Sequence, residues 1–400
     1  MSPLAVSAVT VVSALGAGLA ATRAALHAAR SGLAPQVFET ARLDTWLGVV
    51  PGLDDDTHFP RLQAAQDLAP FDCRNNRLAE LALRADNFGA QVQAAARRYG
   101  AQRVGVFLGT STSGIFQSEK AYRERDSHTG ALPAWLHYPQ THNTYSVAAY
   151  VRAALGVSGP AFVVSTACSS SAKVFAAAAR MIDLGVVDAA VVGGVDSLCL
   201  TTLYGFKSLE LLSPDICRPW DAQRVGLSIG EAAAFALLER QPQQLAGWLL
   251  GAGESSDGHH MSSPHPEGAG AAQAMRGALA QAGLQAQDVD YLNLHGTGTP
   301  GNDAAEDKAV CQVFGPGTPC SSTKGFTGHT LGAAGGVEAA IALLALQDGL
   351  IPAGLNVQTP DPALLAGYVY ETRHQRLRVV ASNSFGFGGS NACLLFGAVA

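Results

Sequence analysis

Short apolar runs and alanine-rich stretches alternate along most of this chain, and that alternation limits the fold more than any single motif. Val104–Leu108, Val163–Val164, Ala189–Gly194, Trp248–Gly253, Val289–Leu294, Val379–Ser382 and Ala392–Phe396 have the length and β-branched content of buried strands. Asn76–Arg98, Asn143–Leu155, Ala172–Arg180, Ala271–Ala282, Ala304–Phe314 and Val337–Leu346 have the composition of helices. Continuously apolar strands alternating with helices predict an α/β protein whose sheets are covered on both faces. Four hundred residues exceed what one core usually spans, and Arg240–Ala246 reads as a joint. The prediction is two halves, residues 1–240 and 247–400.

Leu4–Ala21 carries no charge and is long enough to raise the question of a membrane span or signal peptide. It lacks a basic leader, however, and Ser7, Thr10, Ser13, Gly16 and Gly18 interrupt it. A strand over Leu4–Val12, a turn and a helix over about Ala17–Arg30 fit better, and the chain reads as soluble and cytoplasmic, with no membrane span. Residues 31–75, with Pro35, Pro51, Pro60 and Pro70 and the acidic Asp54-Asp55-Asp56, read as surface loops. Residues 117–143 gather aromatic and charged side chains and read as an excursion over a site or an interface. A net charge of −6 argues against a general nucleic-acid binder. Seven cysteines without a C-x-x-C pair read as reduced thiols rather than a disulfide framework.

One of those cysteines sits where chemistry is expected. In Val163-Val164-Ser165-Thr166-Ala167-Cys168-Ser169-Ser170-Ser171 an apolar run meets a cysteine, and serines then open an alanine-rich helix. The serines read as N-cap oxygens, and Gly185 falls where a helix ends on glycine. Cys168 would then face the positive end of a helix dipole, which favours the nucleophilic thiolate. A buried structural cysteine is the competing reading.

Three further clusters follow apolar runs: Leu294-His295-Gly296-Thr297-Gly298-Thr299-Pro300-Gly301-Asn302-Asp303, Ser322-Thr323-Lys324-Gly325-Phe326-Thr327-Gly328-His329, and Asn383-Ser384-Phe385-Gly386-Phe387-Gly388-Gly389-Ser390-Asn391. Glycine at such places lets backbone approach a ligand and frees N–H groups to donate. Two decoys lie nearby. Gly296-x-Gly298-x-x-Gly301 spells a dinucleotide fingerprint, but no acidic residue follows at the ribose-binding distance. Gly226-Leu-Ser228-Ile-Gly230 spells a nucleophile elbow without the strand-to-helix context it needs; Gly226–Leu238 reads as one strand or turn. His259, His260 and His265 read as a polar loop rather than metal ligands, since no cysteine pair or H-E-x-x-H pattern supports them.

Taken together, Cys168, His295, Lys324, His329 and the Phe385–Gly389 loop resemble the elongating β-ketoacyl-acyl-carrier-protein synthases, with the motifs in the family's order. The resemblance implies a thiolase-like fold of two pseudo-repeated α-β-α-β-α halves in five layers, usually dimeric. It implies that Cys168 accepts an acyl group from a carrier-protein thioester, with the Cys168 and Phe387 N–H groups as oxyanion hole. Malonyl carrier protein then loses carbon dioxide while His295 and His329 donate to the enolate oxygen. Lys324 would position His329, and Glu338 and Glu306 would neutralise that lysine; an ordinary structural ion-pair group is the other reading. Phe387, flanked by Gly386 and Gly388, would gate the site, with Phe206 and Ser262 beside it. Arg74, Arg77 and Lys207 fall near family docking positions for an acidic acyl carrier protein. No metal and no cofactor are implied beyond the phosphopantetheine arm of that carrier, and the second subunit would be identical or a condensing-enzyme-like partner.

The sequence departs from the family at Arg224-Val225-Gly226, where Arg-Asp-Gly is usual. Arg74-Asn75-Asn76-Arg77 and Ser255-Ser256-Asp257-Gly258-His259-His260-Met261 are similar to condensing enzymes of the aryl-polyene type. The alternative from another class is a non-catalytic chain-length-factor-like partner. Such subunits lack the cysteine that this chain keeps.

Overall fold

The computed structural model describes residues 2–59, 62 and 67–399. Ten strands of the large sheet fall into two sets of five with one pairing pattern. The first set is Leu4–Ser13, Val104–Gly109, Ala161–Val164, Ala189–Asp196 and Ala232–Glu239; the second is Gly247–Ser256, Tyr291–Asn293, Pro319–Ser321, Val379–Gly386 and Ser390–Gly397. In each set the fifth strand lies antiparallel between the first and the fourth. The second strand runs parallel to the fourth, and the third lies parallel outside it. The sets meet where Leu4, Ala5 and Val6 pair antiparallel with Leu249, Trp248 and Gly247, giving one continuous sheet.

Period-two patterning sorts side chains onto the two faces of this sheet. Val104, Val106 and Leu108 join a cluster with helices Arg74–Arg84, Phe88–Tyr99 and Ser146–Leu155, whereas Phe107 points into the opposite cluster. That opposite cluster is centred on helices Ser170–Asp183 and Ala334–Asp348, and a third covers the second half with helices Ala269–Ala282 and Pro300–Phe314. Helices, sheet, paired central helices, sheet and helices make five layers, as the resemblance implies. The central helix also explains an ambiguity of composition. Leu331–Asp348 is apolar enough to cross a membrane, yet 89% of it is buried inside the protein. A helix that is apolar all round belongs in such a core.

Several sequence expectations need correction. Residues 31–75 are not simply surface loop: Trp46–Gly48 pairs parallel with Ile229–Gly230, and Leu47, Val50, Leu53 and Phe59 are buried. Pro60 lies outside the described residues. The single helix expected over Asn76–Arg98 is two, Arg74–Arg84 and Phe88–Tyr99, because Asp86 and Asn87 adopt φ values of 54° and 57°. Aspartate and asparagine tolerate that left-handed region better than most residues. The Asp86 carboxylate uses the break to accept hydrogen bonds from Leu19 N–H and Thr10 Oγ1. The strand imagined over Gly226–Leu238 is split at Glu231, whose buried carboxylate receives a two-pronged contact from Arg74.

Candidate active site

The site stands at the carboxyl ends of the third strand of one half and the second, third and fourth of the other, where α/β sheets present loops to ligands. After Ala161–Val164 the chain turns sharply through Ala167, at φ 51°, and places Cys168 just ahead of helix Ser170–Asp183. Gly109 makes this possible: a Cβ there would lie 2.3 Å from Ser171 N. The serines do not cap the helix as the sequence suggested. Ser169 and Ser170 instead donate back to the Thr166 and Ala167 carbonyls, fixing the turn that carries Cys168.

His295 follows Tyr291–Asn293, and its loop is held by Glu306. The Glu306 carboxylate accepts from His295 N–H at 2.8 Å, from Gly296 N–H at 2.7 Å and from Asn383 Nδ2 at 3.0 Å. The backbone donors of the fingerprint-like stretch are therefore spent on a side chain, not offered to a pyrophosphate. Glu306 does not contact Lys324, so the expectation that it neutralises the lysine is corrected; Glu338 alone of the two does so, at 2.5 Å. Lys324 Nζ also donates to the His295 carbonyl and lies 3.4 Å from His295 Nδ1. The ammonium thus touches His295 rather than His329, the partner expected from sequence. An acceptor role for Nδ1 puts the ring proton on His295 Nε2.

His329 is set by backbone on both sides. Its N–H donates to the Ser228 carbonyl and its carbonyl accepts from Gly230 N–H. The stretch that mimicked a nucleophile elbow is therefore a rail for a histidine, and Ser228 Oγ accepts from Cys217 N–H. Gly328 at φ 72° and Leu331 at φ 54° bend the chain around His329. Buried Asp196, which no motif signalled, fastens this turn to the other half. It accepts from Gly332 N–H and from the Ser111 and Thr112 N–H groups. His329 Nε2 lies 2.9 Å from Cys168 Sγ, and the two imidazoles meet edge to face with centroids 5.3 Å apart.

Burial governs the protonation of this group. It pushes the Cys168 thiol up to about 12, with the Lys324 charge and the Phe387 N–H acting in the opposite direction. Burial therefore opposes the thiolate that a helix end favours. Burial, then the Lys324 charge, also holds both histidines well below the usual imidazole range, so both are neutral at pH 7. Glu306 and Glu338 are raised to about 7, again by burial. The ligand atoms of Cys168, His295 and His329 lie within 4.8 Å of one another, a spacing that could suit a soft metal ion. The adjoining ammonium opposes a cation there, and His329 Nε2 already faces the thiol.

These groups floor an apolar cavity of about 390 Å³, also lined by Phe206, Leu211, Leu227, Ser262, Phe385, Gly386, Phe387 and Gly388. Phe387 stacks on Phe206 with centroids 5.5 Å apart, and Gly388 at φ 80° donates its N–H to the Met261 carbonyl. Of the docking candidates only Lys207 is exposed without an ion pair among the described residues. Arg74 is buried against Glu231 and Asp54, and Arg77 is held by Asp72 and Asp56, so neither is free to meet a partner. His259 and His265 pack ring against ring in the loop beside the cavity, while His260 Nδ1 accepts backbone N–H bonds from Ser262 and Ser263.

The protonation pattern has a measurable consequence. A neutral imidazole 2.9 Å from the thiol can take its proton, and its depressed pKa keeps it neutral as pH falls through 6.5. Acylation of Cys168 by a thioester is expected to change less than about twofold from pH 8 to pH 6; a histidine of ordinary pKa would cost about fourfold. A hundredfold fall would show instead that free thiolate, unassisted, is the nucleophile. Rapid-quench mass spectrometry reads the rate.

Comparison with known proteins agrees with this geometry. Residues 90–244 match the N-terminal domain of β-ketoacyl synthases and residues 246–358 the C-terminal domain. The chain is 37% identical to nodulation protein E of Rhizobium meliloti over 74% of this chain and 76% of that protein. It is 30% identical to 3-oxoacyl-[acyl-carrier-protein] synthase 2 of Vibrio cholerae over 98% of both. Among solved structures, the ketosynthase ApeO in complex with its chain length factor ApeC from Xenorhabdus doucetiae superposes with a TM-score of 0.87 at 38% identity, covering 100% of this chain and 98% of that one. A β-ketoacyl synthase from Burkholderia phymatum gives 0.87 at 29% identity over the full length of both chains. With a buried Cys-His-His group beneath an apolar cavity, the chain belongs to the β-ketoacyl synthase family and is an acyltransferase of the 3-oxoacyl-[acyl-carrier-protein] synthase type.

Proposed function

We propose that Cys168 carries the acyl group in a decarboxylative condensation that lengthens a fatty-acyl, polyene or polyketide chain by two carbons. The observation that carries this reading is the contact between Cys168 Sγ and His329 Nε2 on the floor of the apolar cavity. In the first half-reaction Sγ bonds to the thioester carbonyl, the pantetheine C–S bond breaks, and the departing thiol takes the proton that His329 received from Cys168. The N–H groups of Cys168 and Phe387 stabilise the oxyanion. Acylation frees His329 Nε2 from the thiol. The malonyl thioester carbonyl then sits against His295 and His329, and each donates from Nε2–H, His329 as its other neutral tautomer, to the oxygen where negative charge develops as carbon dioxide leaves. The enolate carbon attacks the acyl-Cys168 carbonyl, the new C–C bond forms, the C–S bond to Cys168 breaks, and the departing sulfur takes up one proton from solvent to restore the thiol. Electrons balance without a cofactor or metal. Lys324 and Glu338 position His295, Glu306 holds its loop, and Phe387 on Gly386 and Gly388 gates entry beside Phe206 and Ser262.

The two halves, 1–240 and 247–400, divide the work: the first holds the nucleophile and the second the histidines, Lys324 and the gate. The partners are acyl and malonyl carrier proteins in the cytoplasm, and a second subunit. Ala161–Val164 ends the sheet with half-buried residues, an edge that another subunit can cover. The ApeO structure, solved with a chain length factor, favours a heterodimer over a homodimer, and the similarity of Arg74–Arg77 and Ser255–Met261 favours an aryl-polyene substrate. A purely non-catalytic role is disfavoured by the intact Cys168 and both histidines.

Mixing the protein with a panel of acyl carrier proteins, then mapping adducts by mass, tests the reading. An acyl adduct confined to Cys168, converted by malonyl carrier protein to a product two carbons longer, is expected. Adducts on other cysteines with none on Cys168 would refute it.

A further inference from the structure

Any acyl group that reaches Cys168 crosses the cavity mouth, so the protein delivering it must press against the rim. The rim has an unusual make-up. Leu209, Val225 and Met261 are 46%, 50% and 77% exposed. They flank the cavity-lining Leu211, Leu227 and Ser262. The parallel bridge between Leu212 and Leu227, with Leu227 N–H donating to the Leu211 carbonyl, brings the Leu209 and Val225 segments alongside one another. Met261, next to the cavity-lining Ser262, is tied through its carbonyl to Gly388 of the gate loop. Cations near the mouth are already paired: Lys308 with Glu267, Arg218 with Asp215, and Arg224 with Asp303 and Asp361. Lys207 is the exception among these residues.

We propose that the carrier protein docks on the apolar Leu209–Val225–Met261 collar, with Lys207 as an auxiliary contact, so that recognition depends little on charge. Exposed apolar side chains clustered at the entrance of a cavity mark an interaction surface. A neutralised rim offers little long-range steering, so salt has little to screen. The occupant is the carrier surface around its pantetheine attachment, because the arm must enter at this mouth. This rests on the reading that acyl groups arrive on a carrier.

The test compares KM for acyl carrier protein with acylation from a free pantetheine thioester. Val225→Asp is expected to raise the carrier KM roughly tenfold, and Lys207→Glu only about twofold. The wild-type KM is expected to change less than about twofold between 50 and 500 mM NaCl. Acylation by the small thioester should survive in both variants, which also shows that they fold. A carrier KM unmoved by Val225→Asp, or one that rises tenfold with salt, would overturn the proposal. So would a Val225→Asp chain that loses its subunit assembly in sedimentation, since the collar would then belong to a subunit contact. Failure of the wild type to acylate from either donor would count against the condensing-enzyme reading instead.

Discussion

Cys168→Ala is expected to lower condensation by at least about a thousandfold, to background, while malonyl decarboxylation persists. Covalent capture needs Sγ, and no other thiol can replace it. The other buried cysteines lie away from the cavity, and burial raises those at Cys199, Cys217 and Cys393 to about 12 without a histidine in contact. Decarboxylation makes a different demand. It needs donors where the enolate charge develops, and His295 with Lys324 behind it is untouched by the substitution. Removing Sγ also releases His329 Nε2 to serve as a second donor. The variant should therefore form no adduct by mass yet release carbon dioxide from malonyl carrier protein. Condensation surviving in Cys168→Ala would end the assignment of the nucleophile. Loss of decarboxylation with an intact fold would show that the thiol itself helps to bind the malonyl group.

What the sequence makes legible follows from how local each signal is. The apolar runs and alanine-rich stretches mark most strands and helices because burial on both sheet faces leaves little room for polar residues. Glycine-rich motifs mark the site, since Gly109, Gly296 and Gly328 sit where backbone approaches backbone or φ is positive. Contacts made between distant segments are not legible. The Glu306 carboxylate is only ten or eleven residues from the two backbone donors it satisfies, yet nothing in the spacing distinguishes that use from pairing with Lys324. Asp196 joins strand Ala189–Asp196 to loops near residues 111 and 332 and has no motif at all. Arg74 and Arg77 illustrate the opposite error: as sequence they are surface charge, but Glu231, Asp54, Asp72 and Asp56 close around them. A cation's availability is a property of its neighbours, and those neighbours lie up to 157 residues away.

Lys324→Met separates an electrostatic role for the lysine from a structural one. Methionine keeps much of the volume but removes the charge, leaving Glu338 buried without its partner. Breaking a buried ion pair from one side costs about 3–5 kcal/mol unless the remaining group neutralises itself. Glu338 is already raised to about 7, so without the ammonium it binds a proton in the folded state. In the unfolded chain the same carboxyl is ionised above about 4.5. Between these values the folded state binds more protons, so the variant's stability falls as pH rises, and it should melt at a lower temperature at pH 8 than at pH 6. Lys324→Met/Glu338→Gln removes the charge mismatch and is expected to recover most of the lost stability. It should not recover activity, because His295 Nδ1 has still lost the ammonium that fixes its tautomer and supports charge at Nε2. Malonyl decarboxylation is expected to fall by about a hundredfold or more in both variants, while acylation of Cys168 falls far less, since His329 faces the thiol and Lys324 does not touch His329. A double variant that regains decarboxylation with its stability would reduce Lys324 and Glu338 to an ordinary ion pair of the core. One that stays inactive at full stability makes the ammonium part of the machinery that positions His295.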